Sequence, residues 1–321
     1  MTVALLFPGQ GSQSVGMLAG LAARHSIVGE TFAAASRVLG YDLWQVVASG
    51  PAEQLNATAC TQPAMLAAGF ATWKVWQERA GARATLVSGH SLGEYTALVC
   101  ANAIDFEVAV DLVRVRGELM QAAVPAGTGA MAAILGMEDA DVEAVCAEAA
   151  EGEVVEAVNF NSPAQVVIAG HATAVARAVA LAKARGAKRA VNLPVSVPSH
   201  SSLMRGAAEQ LRARLASVAV RRPAIAFISA VDAAAHSEPD DIRAILVRQL
   251  ASPVRWTDTV LALVQRGATH LIECGPGKVL TGLNRRIERR ADIRCLALED
   301  DATVQAALEA CAQHTAEAAH A

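Results

Sequence analysis

Gly89-His90-Ser91-Leu92-Gly93 sets a serine between two glycines in the pattern G-x-S-x-G. A serine hydroxyl is a weak nucleophile at neutral pH. It becomes useful where a strained strand-to-helix turn lifts it clear of its surroundings, and only small flanking residues allow that turn. The apolar run Ala84 to Ser88 before it reads as a strand, and Glu94-Tyr95-Thr96-Ala97-Leu98-Val99 after it reads as a helix. In that context Ser91 is read as a nucleophile rather than as part of a structural turn. The backbone amide of Leu92, at the positive end of the following helix, is the expected donor to an oxyanion. The chemistry such a set performs is nucleophilic catalysis by the serine hydroxyl.

A serine nucleophile needs a base in reach, and eight histidines are available. His25, His236, His314 and His320 lie in polar or terminal surroundings, while His171 ends one expected strand and His270 begins another. His90 points away from Ser91 if the turn has its usual shape. His200 stands in Val195-Ser196-Val197-Pro198-Ser199-His200-Ser201, a proline-punctuated loop, and is the candidate base; a loop histidine facing solvent is the alternative.

The helical segment Asp105 to Gln121 separates its two arginines. Glu107, Asp111, Arg114 and Glu118 share a charged face on which Arg114 has acids at i−3 and i+4. Arg116 falls on the stripe Phe106, Ala109, Val110, Val113 and Met120, which contains no acid. A buried guanidinium keeps its charge and calls for a carboxylate or phosphate opposite it. Either a distant Asp or Glu supplies that group, or a ligand does. Gly117 beside it predicts a close approach by another element.

Three strand-then-turn units position these residues. Val3 to Phe7 runs into Pro8-Gly9-Gln10-Gly11, Ala84 to Ser88 into the serine turn, and His270 to Cys274 into Gly275-Pro276-Gly277. Helical segments separate them, which implies βαβ units and a mostly parallel sheet. Between about Gly129 and Ser196 the order changes to strand Ala130–Leu135, helix Asp139–Ala150, strand Val154–Phe160, strand Gln165–Ala169, helix Ala172–Arg185 and strand Arg189–Val195. That is the β-α-β-β-α-β order of a ferredoxin-like unit. The expected fold is therefore α/β. A large α/β-hydrolase-like domain (1–127 and 197–321) carries an inserted ferredoxin-like small domain (128–196), with a site in the groove between them. An Ala-rich helix is expected from about Ala302.

The 321 residues are 53% hydrophobic and 18% charged, the composition of an enzyme-sized globular chain. A formal net charge of −4 provides no general basic field for a nucleic acid. Six dispersed cysteines with no C-x-x-C pair read as reduced core thiols of a cytoplasmic protein, and they form no metal motif. No apolar run reaches membrane-spanning length. Pro8-Gly9-Gln10-Gly11 lacks the spacing of a phosphate-binding loop. The basic segments 183–189 and 285–290 read as solvated faces or as a meeting place for an acidic partner or a nucleotide phosphate.

Taken together, several motifs resemble the malonyl-CoA:acyl carrier protein transacylases. They are Phe7-Pro8-Gly9-Gln10-Gly11-Ser12-Gln13, Gly89-His90-Ser91-Leu92-Gly93-Glu94-Tyr95, Arg116-Gly117, Asn159-Phe160-Asn161-Ser162-Pro163, Val197-Pro198-Ser199-His200 and Glu273-Cys274-Gly275-Pro276-Gly277. The match runs from Phe7 to about Arg286 and looks like the freestanding bacterial type of fatty-acid synthesis. The resemblance implies that Ser91 is acylated by malonyl-CoA, with His200 as base and the amides of Gln10 and Leu92 as oxyanion donors. It also implies that Arg116 holds the malonyl carboxylate and that the main chain of Gln249 orients the histidine. Malonyl-CoA enters as substrate, acyl carrier protein is the partner, no metal or bound cofactor is needed, and a monomer is expected. Two other readings stay open: a serine thioesterase, which would use an acid such as Asp105, Asp111, Asp139 or Asp141 on its histidine, and a non-catalytic carrier-binding subunit.

Overall fold

The computed structural model describes residues 1–195 and 197–320, with 314–320 described as helix backbone only. Among the described residues ten strands form: β1 (Val3–Phe7), β2 (Ala84–Gly89), β3 (Gly129–Leu135), β4 (Val155–Ser162), β5 (Gln165–His171), β6 (Arg189–Asn192), β7 (Ala226–Ile228), β8 (Ala235–His236), β9 (His270–Glu273) and β10 (Arg294–Ala297). Every residue of β1 is buried and apolar. Alternate side chains of a strand face opposite ways. Val3, Leu5 and Phe7 accordingly enter one core cluster, while Ala4 and Leu6 enter another. A strand buried on both faces must lie inside a sheet covered by helices on both sides.

That sheet has the order β10-β9-β1-β2-β7-β8. Its pairings are parallel except for β7 with β8, so the sheet is mostly parallel, as the strand–helix alternation predicts. In the β1–β2 register Phe7 pairs with Gly89, which brings the turn after β1 and the serine turn after β2 side by side. Ligand sites of open α/β sheets form at these carboxyl ends of strands.

The second sheet, β4-β5-β3-β6, is wholly antiparallel. With helices Asp139–Ala149 and Ala172–Ala184 it completes the expected β-α-β-β-α-β order. One face packs on those helices through Ile134, Val166 and Ile168. The other presents Met131, Val158, Val167 and Ala169. The end of β4 is stitched to the segment before helix Trp256–Gln265, since Phe160 N donates to Val254 O at 2.9 Å and Val254 N to Val158 O at 2.8 Å.

Some bounds differ from expectation. β6 stops at Asn192 instead of Val195: Leu193 still donates to Met131 O, but Pro194 has no N–H to continue the ladder. β4 and β5 each run two residues further, to Ser162 and His171. β7 and β8, three and two residues long, are too short to leave a sequence pattern. Ser196, the expected end of the small domain, lies outside the described residues. The Ala-rich C-terminal helix is Asp301–His320.

Candidate active site

The serine turn depends on its two glycines. A Cβ on Gly89 would stand 1.9 Å from the carbonyl carbon of Gly93, and a Cβ on Gly93 would stand 1.9 Å from Phe7 O. Helix Gly93–Cys100 therefore starts in backbone contact with the ends of β1 and β2, closer than any side chain permits. Between the glycines Ser91 holds φ 52°, a left-handed conformation that costs a residue other than glycine on the order of 1 kcal/mol. His90 is turned away, as expected: its Nε2 lies 2.8 Å from Asn161 Oδ1 of β4.

His200 reaches Ser91 across a separation of 109 residues, with Nε2 2.7 Å from Ser91 Oγ. Its Nδ1 lies 2.9 Å from the main-chain oxygen of Gln249. A carbonyl only accepts, so the ring proton sits on Nδ1 and Nε2 is left to accept from the serine hydroxyl. Burial, and after it the charge of Arg116, push the His200 pKa down to about 3. The ring is thus neutral and ready to take a proton. The acids a thioesterase would use are elsewhere. Asp105 pairs with Arg221, Asp111 pairs with Arg114 and Arg214, and Asp139 and Asp141 lie in the first turn of helix Asp139–Ala149.

Arg116 lies on helix Phe106–Ala122 and is 1% exposed. Gly117 lets that helix close on the start of helix Thr58–Glu78, where a Cβ would stand 2.8 Å from Thr58 O. Helix Thr58–Glu78 supplies Gln62, whose Oε1 accepts from Arg116 NH1 at 2.9 Å. Arg116 NH2 donates to Ser91 Oγ and to Gln249 Oε1, both at 3.1 Å, and the guanidinium lies 5.3 Å from the centre of the Tyr95 ring. Among the described residues no carboxylate comes within 4 Å of it, whereas Arg114 pairs with Asp111 and Glu118 as the charged face predicts. Burying an unpaired cation costs several kcal/mol, and neutral oxygens and a ring face offset only part of that. The distant acid that sequence reasoning allowed for is present one amide removed: Gln249 Nε2 donates to the buried carboxylate of Glu94.

The turn after β1 brings Gln10 into the same cleft. The amides of Gln10 and Leu92 have no protein acceptor among the described residues. The cleft has a volume of about 460 Å³ and is lined by Gln10, Ser91 and Arg116 together with Met131, Asn159 and Val167 of the antiparallel sheet. Sequence reasoning did not single out Gln62, the side chain of Gln249, or Glu94. The first two sit on helices with no local pattern to mark them. Glu94 had a signal, the one charged residue of helix Gly93–Cys100, on its first turn.

The remaining motifs make contacts of their own. Glu273 at the end of β9 accepts from the amides of Leu280 and Thr281 at 3.0 and 2.7 Å and so fixes the start of helix Val279–Ile287. In the basic segments Arg185 pairs with Glu148, and Arg286 donates to Gln165. No group of three metal-ligating side chains occurs among the described residues, and no helix there is long and apolar enough to cross a membrane.

Residues 4–299 match the model of the acyl transferase domain family. The chain is 55% identical over 306 residues to the malonyl CoA-acyl carrier protein transacylase of Escherichia coli (strain K12), covering 95% of this chain and 98% of that protein. The crystal structure of an acyl carrier protein S-malonyltransferase from Vibrio cholerae superposes with a TM-score of 0.92 at 55% identity, covering 95% of this chain and 99% of that one. A type II PKS acyl-carrier protein in complex with its malonyl-transacylase gives a TM-score of 0.94 at 51% identity, with 96% and 99% covered.

Proposed function

The chain belongs to the acyl transferase family and, within it, to the malonyl-CoA:acyl carrier protein transacylases of fatty-acid biosynthesis, and we propose that Ser91 carries the malonyl group between the two thiols. The observation that carries this reading is the convergence on one hydroxyl of a neutral base at 2.7 Å and an unpaired buried cation at 3.1 Å. Ser91 Oγ gives its proton to His200 Nε2 and attacks the thioester carbonyl. The amides of Leu92 and Gln10 receive the oxyanion. Collapse of the adduct breaks the C–S bond, and coenzyme A leaves with the proton held by His200. The phosphopantetheine thiol of the carrier protein then gives a proton to His200 and attacks the serine ester. As Ser91 leaves, it takes that proton back.

Arg116 receives the free malonyl carboxylate, which supplies the anion its burial calls for. Gln249 holds the ring of His200 by its carbonyl, so Nδ1 keeps its proton throughout. Malonyl-CoA is a substrate and the transfer uses no cofactor. A monomer as the working unit is part of this proposal. Six buried thiols suit the cytoplasm. We infer two domains, 1–127 with 197–321 and 128–196, and residues lining the cleft from both ranges support this division.

Acylation rates with malonyl-CoA and acetyl-CoA test the reading. The wild type should prefer malonyl strongly. Arg116→Ala should lose roughly 3 kcal/mol of that preference, about a hundredfold, because two charge-assisted hydrogen bonds go. Equal malonyl and acetyl rates in the wild type would contradict the role of Arg116.

A further inference from the structure

Glu94 follows Ser91 by three residues, is fully buried, and has no part in the transfer described above. Among the described residues its carboxylate meets no cation within 4 Å. Oε1 accepts from Ala230 N at 2.5 Å and Ser229 Oγ at 2.8 Å, and Oε2 accepts from Gln249 Nε2 at 2.5 Å. A carboxylate kept in the interior on neutral donors alone is costly, and burial pushes its pKa up to about 7 against those three hydrogen bonds. Packing alone gives no reason to keep it.

The partner of Oε2 supplies a reason. The side-chain amide of Gln249 has two ends of nearly equal shape, and only its neighbours decide which way round it sits. Nε2 donates to Glu94 Oε2 and to Ser91 O at 2.9 Å, while Oε1 accepts from Arg116 NH2. Reversed, the amide would set an NH2 against the guanidinium and an oxygen against the Ser91 carbonyl. We propose that Glu94 is a positioning residue for malonyl selectivity: it holds the Gln249 nitrogen inward, and this turns Oε1 toward Arg116 and fixes the cation that receives the malonyl carboxylate. The proposal rests on the role given to Arg116 above.

The isosteric change Glu94→Gln inverts the arrangement. Ala230 N and Ser229 Oγ still demand an oxygen, so the NH2 of the new amide must face Gln249 Nε2, donor against donor. Gln249 can relieve this only by reversing, which turns its own NH2 on Arg116. A side chain that merely filled space would tolerate the exchange.

The experiment compares malonyl and acetyl acylation, as kcat and KM, in wild type, Glu94→Gln, Arg116→Ala and the double variant. Glu94→Gln should lower the malonyl-to-acetyl ratio by about tenfold or more, chiefly through a higher KM for malonyl-CoA. In the Arg116→Ala background the same change should leave the ratio unaltered, because the two act through one contact. A wild-type ratio in Glu94→Gln beside a lowered one in Arg116→Ala overturns the proposal and leaves the role of Arg116 standing. An unaltered ratio in Arg116→Ala overturns both. Nuclear magnetic resonance of the wild-type protein tests the contact without any variant. The Gln249 side-chain proton aimed at Glu94 should be shifted downfield and slow to exchange, and an averaged, fast-exchanging amide would overturn the proposal even if Glu94→Gln failed to fold.

Discussion

The main-chain oxygen of Gln249 lies 2.9 Å from Nδ1 of His200, and the side chain of the same residue accepts from Arg116 and donates to the carbonyl of Ser91. The last turn of helix Pro239–Leu250 thus holds the base, the cation and the nucleophile's backbone in one set of hydrogen bonds. A hydrolase histidine commonly leans on a carboxylate. Here the orienting group is neutral.

A neutral orienting group does not raise the basicity of the ring, while burial and Arg116 lower it to about 3. The folded protein therefore keeps His200 neutral, whereas the unfolded chain protonates it near the ordinary value of about 6.5. Between these values the unfolded state binds more protons, so this group's contribution to stability falls as pH drops from about 6.5 toward 3. The 13Cε1 shift of His200 should report a neutral ring from pH 8 down to pH 5. A ring titrating near 6.5 in the folded protein would contradict this account.

Two glycine substitutions should act in opposite directions. Gly93→Ala drives a methyl to 1.9 Å from Phe7 O, so the serine turn cannot close; the variant should lose several kcal/mol of stability, or fail to fold. Gly282 sits exposed inside helix Val279–Ile287, with nothing within 4 Å of an added Cβ. Gly282→Ala should gain up to about 1 kcal/mol. Thermal melts of the two variants check both, and a neutral Gly93→Ala would mean that the turn is not built as described.

Much of this was legible in the chain because it is local. The three strand-then-turn units, the elements of the β-α-β-β-α-β order taken one by one, and the apolar face bearing Arg116 all follow from local patterns. Ser91 announces itself by its glycines, although only the Gly89 clash with Gly93 is local; a Cβ on Gly93 would meet Phe7 O of β1. Gln249 does not. Its partners lie 49, 133 and 158 residues away, and a glutamine at the end of a helix has no local signature of burial. The sequence resemblance pointed to its main chain, but the work of its side chain emerges only when three elements meet. Gln62 is hidden for the same reason, on a helix buried on nearly every side. The short strands β7 and β8 leave no period to read, yet the residues just after β7, Ser229 and Ala230, hold Glu94.

Cys100 and Cys274 are buried in the main core, and burial raises both thiols well above their ordinary pKa. Iodoacetamide at pH 8 should leave both unmodified in the folded protein and alkylate both after unfolding, with no reductant added. Peptide mapping distinguishes the cases. Rapid labelling of either cysteine in the native state would contradict the packing around β1 and β9.

The intact mass of the protein after brief exposure to malonyl-CoA, and again after addition of phosphopantetheinylated carrier protein, tests the central claim most directly. One malonyl increment should appear on Ser91, persist in buffer, and disappear when the carrier is added. Ser91→Ala should show none. A malonyl increment on Ser91→Ala, or one that water removes from the wild type without the carrier, would contradict the account.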